Sequence, residues 1–253
     1  MRPTLTIWPS SGLKDCERGL PQLRREIDRL DDDLLELVER RLALSHQVAA
    51  AKREDGGRLK LRPRREADIV ERLAARSRLA NRDLIAHLWR ELLGHGLQAQ
   101  ARTELVLWAK VDSTLLHEQV RHRFGWAAPI VWAATPESAL EQANRREAIA
   151  VIENSPFHSW WLELPDYPSL AIFESTGGGG AIDGFLVGRV APEDIADDQR
   201  YGILDKDEAQ DRLAAGERID VIRTAGSLSL CHWRPEPPGV AAPGDAQPEA
   251  ASR

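Results

Sequence analysis

The first hundred residues place apolar side chains at helical spacing. Between Gln22 and Lys52 the chain has no proline or glycine, and Pro21 suits the first turn of a helix. The apolar positions recur mostly at steps of three and four residues: Leu20, Leu23, Ile27, Leu30, Leu34, Leu37, Leu44 and Val48. This spacing predicts one helix of about thirty residues with an apolar stripe, which needs a partner to cover it.

Two further helices are predicted before residue 102. Residues 54–63 contain two glycines and a proline and are expected to form a loop. A second helix is expected from about Arg64 to Ser77, and a third from about Asn81 to Gln100, with Asn81 as its N-cap. The pattern up to residue 102 is therefore that of an all-helical unit with three helices.

Beyond residue 102, short apolar runs alternate with helical segments. Residues 105–107, 130–132 and 148–152 are typical of strands, and residues 115–124 and 137–144 of helices. This β-α-β-α-β order predicts a small α/β or α+β domain. Four glycines at 177–180 predict a flexible loop, but the lysine and hydroxyl residue of a phosphate-binding loop do not follow them.

The charge distribution also divides the chain. Residues 19–102 contain 18 lysines and arginines against 14 aspartates and glutamates, whereas residues 103–253 contain 13 against 24. Net charges of +4 and −11 indicate two units of different character. We predict an N-terminal tail (1–18), a helical domain (19–102), an α/β domain (103–234) and a disordered tail rich in proline, alanine and glycine (235–253).

Composition narrows the class of protein further. No apolar run approaches the roughly 18 residues that a membrane-spanning helix needs, so no membrane association is expected. The first residues lack the basic and apolar regions of a secretory signal. Cys16 and Cys231 match no metal-ligand or redox spacing. The acidic second unit argues against nucleic acid as a partner. We expect a cytoplasmic protein without a metal site.

Polar side chains occupy positions where the helical pattern predicts apolar ones. Arg41 lies between two leucines of the stripe on the first helix, and a charge buried there needs a partner or a ligand. Lys52 lies eleven residues later, about 20° around the helix from Arg41. Gln100 ends the apolar stripe of the third helix. The candidate site residues within one chain are Arg41, Lys52, Arg65, Glu66 and Gln100.

Arg24 is a candidate of a different kind. It precedes Arg41 by 17 residues, which is roughly 25 Å along a helix and about 100° around it. One helix cannot present both arginines to one small ligand. Two antiparallel copies of the helix could do so, in a homodimer with two symmetric sites. The alternative is that Arg24 is a surface arginine on an arginine-rich chain.

Four sequence segments in the first hundred residues resemble one enzyme family. LRREIDRLDDDLLELVERR, AAAK, RPRRE and LWRELLGHGLQAQ follow one another over residues 20–100. Together they resemble the helical chorismate mutases, including those fused to a prephenate dehydratase. The resemblance implies an intertwined dimer of three-helix chains that rearranges chorismate to prephenate, in phenylalanine and tyrosine biosynthesis.

The resemblance assigns a role to each candidate residue. It implies that Arg41 binds one carboxylate of chorismate, that Arg24 of the other chain binds the second, and that Arg65 supports both. Lys52 and Gln100 would bind the ether oxygen, where negative charge develops as the C–O bond breaks. These residues together would select a reactive conformer of the substrate and stabilise its transition state.

The remaining implications concern Glu66 and two departures from the family pattern. Glu66 would accept a hydrogen bond from the ring hydroxyl of the substrate. The rearrangement is pericyclic, so the resemblance implies no cofactor, no metal and no proton relay. Arg62 stands where an acidic residue is usual, and Gly96 where a serine is usual. Both are lesser contacts, so weaker substrate positioning is the expected consequence.

The second half resembles a reduced prephenate dehydratase domain. Residues 134–155 end in Ile-Glu-Asn-Ser, as a segment of that family does. The family's glycine-rich motif is altered at residues 109–113, and Asp183 and Gly184 replace the Thr and Arg of its Thr-Arg-Phe segment. Too few residues remain for the family's second lobe. Dehydratase activity is therefore not expected, nor is a regulatory amino-acid-binding domain.

Other functions stay open at this point. An isochorismate pyruvate lyase uses the same helical scaffold and would release pyruvate and salicylate. A non-catalytic sensor of chorismate or prephenate, or a partner subunit, would bind without turnover. Nucleic acid binding through the basic helical unit would depend strongly on salt concentration.

Overall fold

The described part of the chain begins with three helices and continues with alternating strands and helices. The computed structural model describes residues 19–51, 61–145, 147–177 and 182–235. The elements are α1 (Leu20–Ala51), α2 (Pro63–Arg76), α3 (Arg82–Gln100), β1 (Glu104–Trp108), α4 (Ser113–Phe124), β2 (Ile130–Trp132), α5 (Pro136–Arg145), β3 (Ala148–Glu153), β4 (Ala171–Thr176), β5 (Gly184–Gly188), β6 (Arg200–Asp205), α6 (Lys206–Ala214), β7 (Ile219–Ala225) and β8 (Leu228–Trp233). The predicted fold class, a helical unit followed by a mixed α and β unit, is confirmed.

Some predicted segments lie outside the described residues. They are the tail at 1–18, the tail at 235–253 apart from residue 235, most of the loop at 54–63, and the glycine loop at 177–180 apart from Gly177. The predicted boundary between a helical domain and an α/β domain at residues 102 and 103 stays a prediction.

Helix starts follow local signals in the sequence. α2 begins at Pro63, one residue before the predicted start, because proline at the first helical position sacrifices no hydrogen bond. The Asn81 side chain accepts a hydrogen bond from the Leu84 backbone N at 2.8 Å, which confirms the predicted N-cap of α3. Asp112 caps α4 in the same way, through the backbone N of Leu115 at 2.8 Å.

A five-stranded mixed sheet forms the centre of the second segment. Its strands lie in the order β2-β1-β3-β5-β4. β1 is parallel to β2 and β3, whereas β5 is antiparallel to β3 and β4. Every residue of β3 is buried, so its sequence is a continuous apolar run that ends in Glu153. The elements from β1 to β3 confirm the predicted β-α-β-α-β order.

A three-stranded antiparallel sheet follows the first one and is not predicted by the sequence pattern. Its strands lie in the order β6-β8-β7, and α6 packs against them. Ala209, Ile219 and Cys231 form its small core. Most side chains of β6 and β7 are only partly buried, so these strands lack the strong apolar alternation that identifies a strand.

The helical segment and the five-stranded sheet share one apolar core. Leu61, ahead of α2, and Leu97, in α3, are 2% and 5% exposed and belong to the same cluster as Leu105 of β1. α3 also approaches α4 closely at Gly94, where an added Cβ would lie 2.4 Å from the carbonyl oxygen of Phe124. The two segments are therefore packed against each other through both side chains and backbone.

Most of the apolar stripe on α1 is exposed in the single chain. α1 packs against α3, yet nine of its large apolar side chains are between 41% and 61% exposed. They are Leu20, Leu23, Ile27, Leu30, Leu34, Leu35, Leu37, Leu44 and Val48. A single chain rarely leaves so long an apolar surface uncovered. The described chain does not supply the partner that this pattern requires.

Candidate active site

A cavity of about 410 Å³ lies among α1, α2 and α3, and we call it the helical cavity. Four of the predicted site residues line it: Arg41 from α1, Arg65 and Glu66 from the first turn of α2, and Gln100 from the last turn of α3. Three helices that are separate in sequence thus bring cations, a carboxylate and an amide to one small space.

Arg41 is anchored within this cavity by the helix opposite. Its Nη1 donates a hydrogen bond to the carbonyl oxygen of Leu92 at 2.8 Å. Burial lowers the pKa of the Arg41 guanidinium, and the nearby Glu66 carboxylate opposes that shift. An arginine remains protonated despite such a shift. Arg41 therefore presents a fixed positive charge to the helical cavity, as expected of a charge within an apolar stripe.

The first turn of α2 brings a second set of charges to the cavity. Arg65 is exposed and lines the cavity. Arg62, one of the two departures from the family pattern, also lines it, and its Nε lies 3.7 Å from a carboxylate oxygen of Asp194. The positive charge of Arg62 is therefore partly balanced by an acidic residue of the second segment.

Gln100 and Gly96 form the α3 wall of the cavity. Gln100 donates a hydrogen bond from Nε2 to the carbonyl oxygen of Gly96 at 3.2 Å, so its amide is held near the end of the helix. A Cβ on Gly96 would lie 3.1 Å from Oγ of Ser45 and 3.7 Å from Nη1 of Arg41. The hydroxyl of Ser45 thus lies close to the position that a side chain at residue 96 would occupy.

Glu66 also belongs to a largely buried ion cluster that connects the two segments. Its Oε2 lies 2.9 Å from Nη2 of Arg123 in α4, and Nε of Arg123 donates to Oε1 of Glu174 in β4 at 2.5 Å. The pKa of the Glu66 carboxyl is raised above its ordinary value: burial is the largest cause, the positive charge of Arg123 opposes the rise, and the negative charge of Glu174 adds to it. The charge on Glu66 therefore depends on residues outside the helical segment.

A second cavity, of about 190 Å³, borders this ion cluster, and we call it the interface cavity. Glu66, Arg90, Arg123 and Glu174 line it, so Glu66 belongs to the walls of both cavities. Burial lowers the pKa of Arg90, and its Nη1 lies 3.0 Å from Nδ1 of His122. Of the ion cluster, only Glu66 lines both cavities, whereas Arg123 and Glu174 line only the interface cavity of the two.

Two predicted site residues are not in the helical cavity of the described chain. Arg24 is exposed on the first turns of α1 and does not line the cavity that contains Arg41. Lys52 lies outside the described residues. The predicted roles of both residues stay predictions.

The segment that resembles a dehydratase has a small cavity of its own, of about 270 Å³. The carboxylate of Glu153 accepts hydrogen bonds from three consecutive backbone N–H groups, those of Lys110, Val111 and Asp112, at 2.6, 2.8 and 2.8 Å. Consecutive N–H groups at the start of a helix form a typical anion-binding turn. Here the chain's own carboxylate occupies that turn.

Histidine, cysteine and carboxylate side chains do not cluster as metal ligands in the described residues. Across residues 19–51, 61–145, 147–177 and 182–235, no group of three or more His, Cys, Asp or Glu side chains is arranged to hold a metal ion. In the same part of the chain, no helix is both long enough and apolar enough to cross a membrane. Cys231 is buried, and burial raises the pKa of its thiol. Cys16 lies outside the described residues.

The sequence patterns missed Arg123, Glu174 and Arg90 as neighbours of the site. Arg123 is one of three basic residues in the last turn of α4, where cations are common. Glu174 lies in β4, a strand whose other residues give no sign of a site. No spacing rule connects these positions to Glu66, since the contact depends on how the helical segment docks on the sheet.

In a comparison with known proteins, the first segment matches one family model. Residues 23–101 match the family model of chorismate mutase type II, as the predicted resemblance implies. Over 144 residues the chain is 22% identical to a bifunctional chorismate mutase/prephenate dehydratase of Aquifex aeolicus (strain VF5). That alignment covers 54% of this chain and 39% of the relative, so the chain spans about two fifths of the length of that protein. No solved structure matches the chain significantly.

Proposed function

We propose that the helical cavity binds chorismate and rearranges it to prephenate. One observation carries this proposal: Arg41, Arg65, Glu66 and Gln100, chosen from the sequence, line the same cavity of about 410 Å³. The family match over residues 23–101 supports the same activity. The cavity combines cations for a dianionic substrate with a carboxylate and an amide that can orient its polar groups.

The proposed chemistry needs positioning and charge stabilisation only. In chorismate, the ether C–O bond breaks while a new C–C bond forms, and the electrons move in a cycle within the substrate. Arg41 and Arg65 would hold a carboxylate of the substrate and so favour its compact, reactive conformer. The amide of Gln100, together with Lys52, would stabilise the negative charge that develops on the ether oxygen.

Turnover of chorismate by the purified full-length chain tests this function. We expect chorismate absorbance to disappear and prephenate to appear in the product. Pyruvate and salicylate from isochorismate would indicate a lyase, and tight binding of a transition-state analogue without turnover would indicate a sensor. If prephenate does not appear even at high protein concentration, the proposed mutase activity is wrong.

We also propose that the active form is a homodimer in which Arg24 reaches the site of the other chain. The support is the exposed apolar stripe on α1, nine large side chains that the described chain leaves uncovered. A second copy of α1 packed antiparallel would cover the stripe. The two arginines of one chain lie roughly 25 Å apart along the helix. If the symmetry axis passes midway between them, each Arg24 lies near the other chain's Arg41.

A complementation experiment tests the shared site. We expect Arg24→Ala and Arg41→Met proteins to be inactive separately, and coexpression to restore activity. Each mixed dimer combines an intact Arg41 with the other chain's intact Arg24 at one of its two sites. With random pairing, about one quarter of the wild-type activity should return.

The coexpressed chains can carry different tags, so that mixed dimers are purified and their composition is measured. Coexpression of Arg24→Ala with itself under both tags is the control. Purified mixed dimers that are no more active than either parent protein would contradict a shared site.

A further inference from the structure

The ion cluster around Arg123 connects the proposed mutase site to the α/β segment. Arg123 lies between the carboxylates of Glu66 and Glu174, with shortest N···O distances of 2.9 and 2.5 Å. The three side chains are only 14%, 15% and 21% exposed. Such pairs are screened much less by solvent and salt than surface ion pairs. Removal of one partner therefore leaves an uncompensated charge in a poorly solvated place.

Among the described residues, the cation in ion-pair contact with Glu66 comes from outside the helical segment. Arg123 belongs to α4, which follows the first strand of the sheet. Other groups face Glu66 from each packed element: Arg41 on α1, Arg90 on α3 and Glu174 on β4. Arg62, just before α2, and Arg65, on the same helix as Glu66, line the same cavity. Among these groups, Arg123 is the one in direct ion-pair contact.

We infer that Arg123 is a positioning residue of the mutase site: its ion pair favours the ionised form of the Glu66 carboxylate and fixes its direction, so the α/β segment completes the site. This inference rests on the proposed function, in which ionised Glu66 accepts a hydrogen bond from the substrate. The second segment then has a role in catalysis without touching the substrate.

The charge balance explains why Arg123 is needed. Burial alone favours the neutral form of Glu66, and the adjacent Glu174 carboxylate favours it further. Within the described part of the chain, one guanidinium lies in ion-pair contact with two carboxylates, so Glu66 and Glu174 share the cation of Arg123. Without that cation, the Glu66 carboxylate would bind a proton. The protonated oxygen could then no longer accept a hydrogen bond from the substrate.

A purely structural role for Arg123 makes a different prediction. If Arg123 only fastens α4 to α2 and β4, its loss lowers stability and activity to the same extent at every pH. If it sets the charge of Glu66, its loss changes how activity depends on pH. The acid limb, the range in which kcat/KM falls as pH decreases, distinguishes the two roles.

The experiment compares two variants with opposite expected effects in the full-length chain. Arg123→Gln removes the cation, which raises the pKa of Glu66, so the acid limb should move up by about one to three pH units. Glu174→Gln removes the competing carboxylate, which lowers the pKa of Glu66, so the acid limb should move down. Arg123→Lys restores the positive charge and should return the limb toward its wild-type position.

Arg121→Gln is the matched control, because Arg121 lies on the same helix but donates to the carbonyl oxygens of Gly125 and Ala128, at 3.3 and 2.9 Å. Its acid limb should not move. A folded, active Arg123→Gln protein with the wild-type acid limb would overturn the inference. If Arg123→Gln does not fold, an unchanged acid limb in Glu174→Gln overturns it instead.

The failure of this inference can be told apart from failure of the proposed function. Absence of prephenate formation by the wild-type protein contradicts the mutase activity itself. In that case, ¹³C NMR of the Glu66 carboxyl in the same variants still measures its pKa. Opposite shifts in Arg123→Gln and Glu174→Gln would support the control of Glu66 by Arg123, and unchanged values would overturn it.

Discussion

Replacement of Arg41 by methionine is expected to lower kcat/KM for chorismate by about 100-fold to 1,000-fold. Methionine keeps an unbranched apolar stem but removes the guanidinium that faces the helical cavity. Loss of a preorganised donor at a developing or bound negative charge typically costs about 3–4 kcal/mol in the transition state. Initial rates over a range of chorismate concentrations measure the effect.

Arg40→Met is the matched control for that experiment. Arg40 is the preceding residue on α1 and is exposed, so the substitution removes the same charge from the same helix without touching the cavity. Its kcat/KM should stay within about twofold of wild type, as usual for surface substitutions. Wild-type activity in a folded Arg41→Met protein would contradict the role proposed for Arg41.

Replacement of Gly94 by alanine is expected to destabilise the protein by about 1–3 kcal/mol, the usual range for overpacking. The new Cβ would lie 2.4 Å from the carbonyl oxygen of Phe124, and a backbone atom cannot rotate away as a side chain can. α3 and α4 must therefore separate. Because Phe124 follows Arg123, separation should also disturb the ion cluster. Urea unfolding measures the loss of stability.

Gly96→Ala provides the comparison within the same helix. There the new Cβ would lie 3.1 Å from Oγ of Ser45, whose side chain can turn aside. Alanine is also favoured over glycine in a helix by roughly 0.5–1 kcal/mol. Gly96→Ala should therefore be close to neutral in stability. An equally small effect of Gly94→Ala would show that α3 and α4 are not in close backbone contact.

The helices, and the unusual position of Arg41 within an apolar stripe, follow from local patterns in the sequence, whereas the roles of Arg65, Glu66 and Gln100 are implied by the family resemblance. Steps of three and four residues predict α1, and the amide of Asn81 predicts the start of α3. Arg41 is identified as a site residue because a charge within an apolar stripe needs a partner. These predictions depend only on neighbours along one helix, where the spacing of residues fixes their geometry.

The contacts between the segments could not be predicted from the sequence in the same way. Arg123 and Glu66 are far apart in the chain, and nothing in the sequence near either residue requires the other. Leu61 and Leu97 are apolar residues like many others, yet they join the core of the sheet. The small sheet of β6, β7 and β8 was missed because most side chains of β6 and β7 are only partly buried, so these strands lack a strong apolar alternation.

The anion-binding turn at residues 110–112 is occupied by Glu153, a carboxylate of the same chain. A carboxylate fixed on the neighbouring strand is present at a far higher effective concentration than any metabolite in free solution, since it pays almost no entropy to bind. A free anion would have to displace Glu153 from three hydrogen bonds. Competition from within the chain thus disfavours the binding of outside anions at this turn.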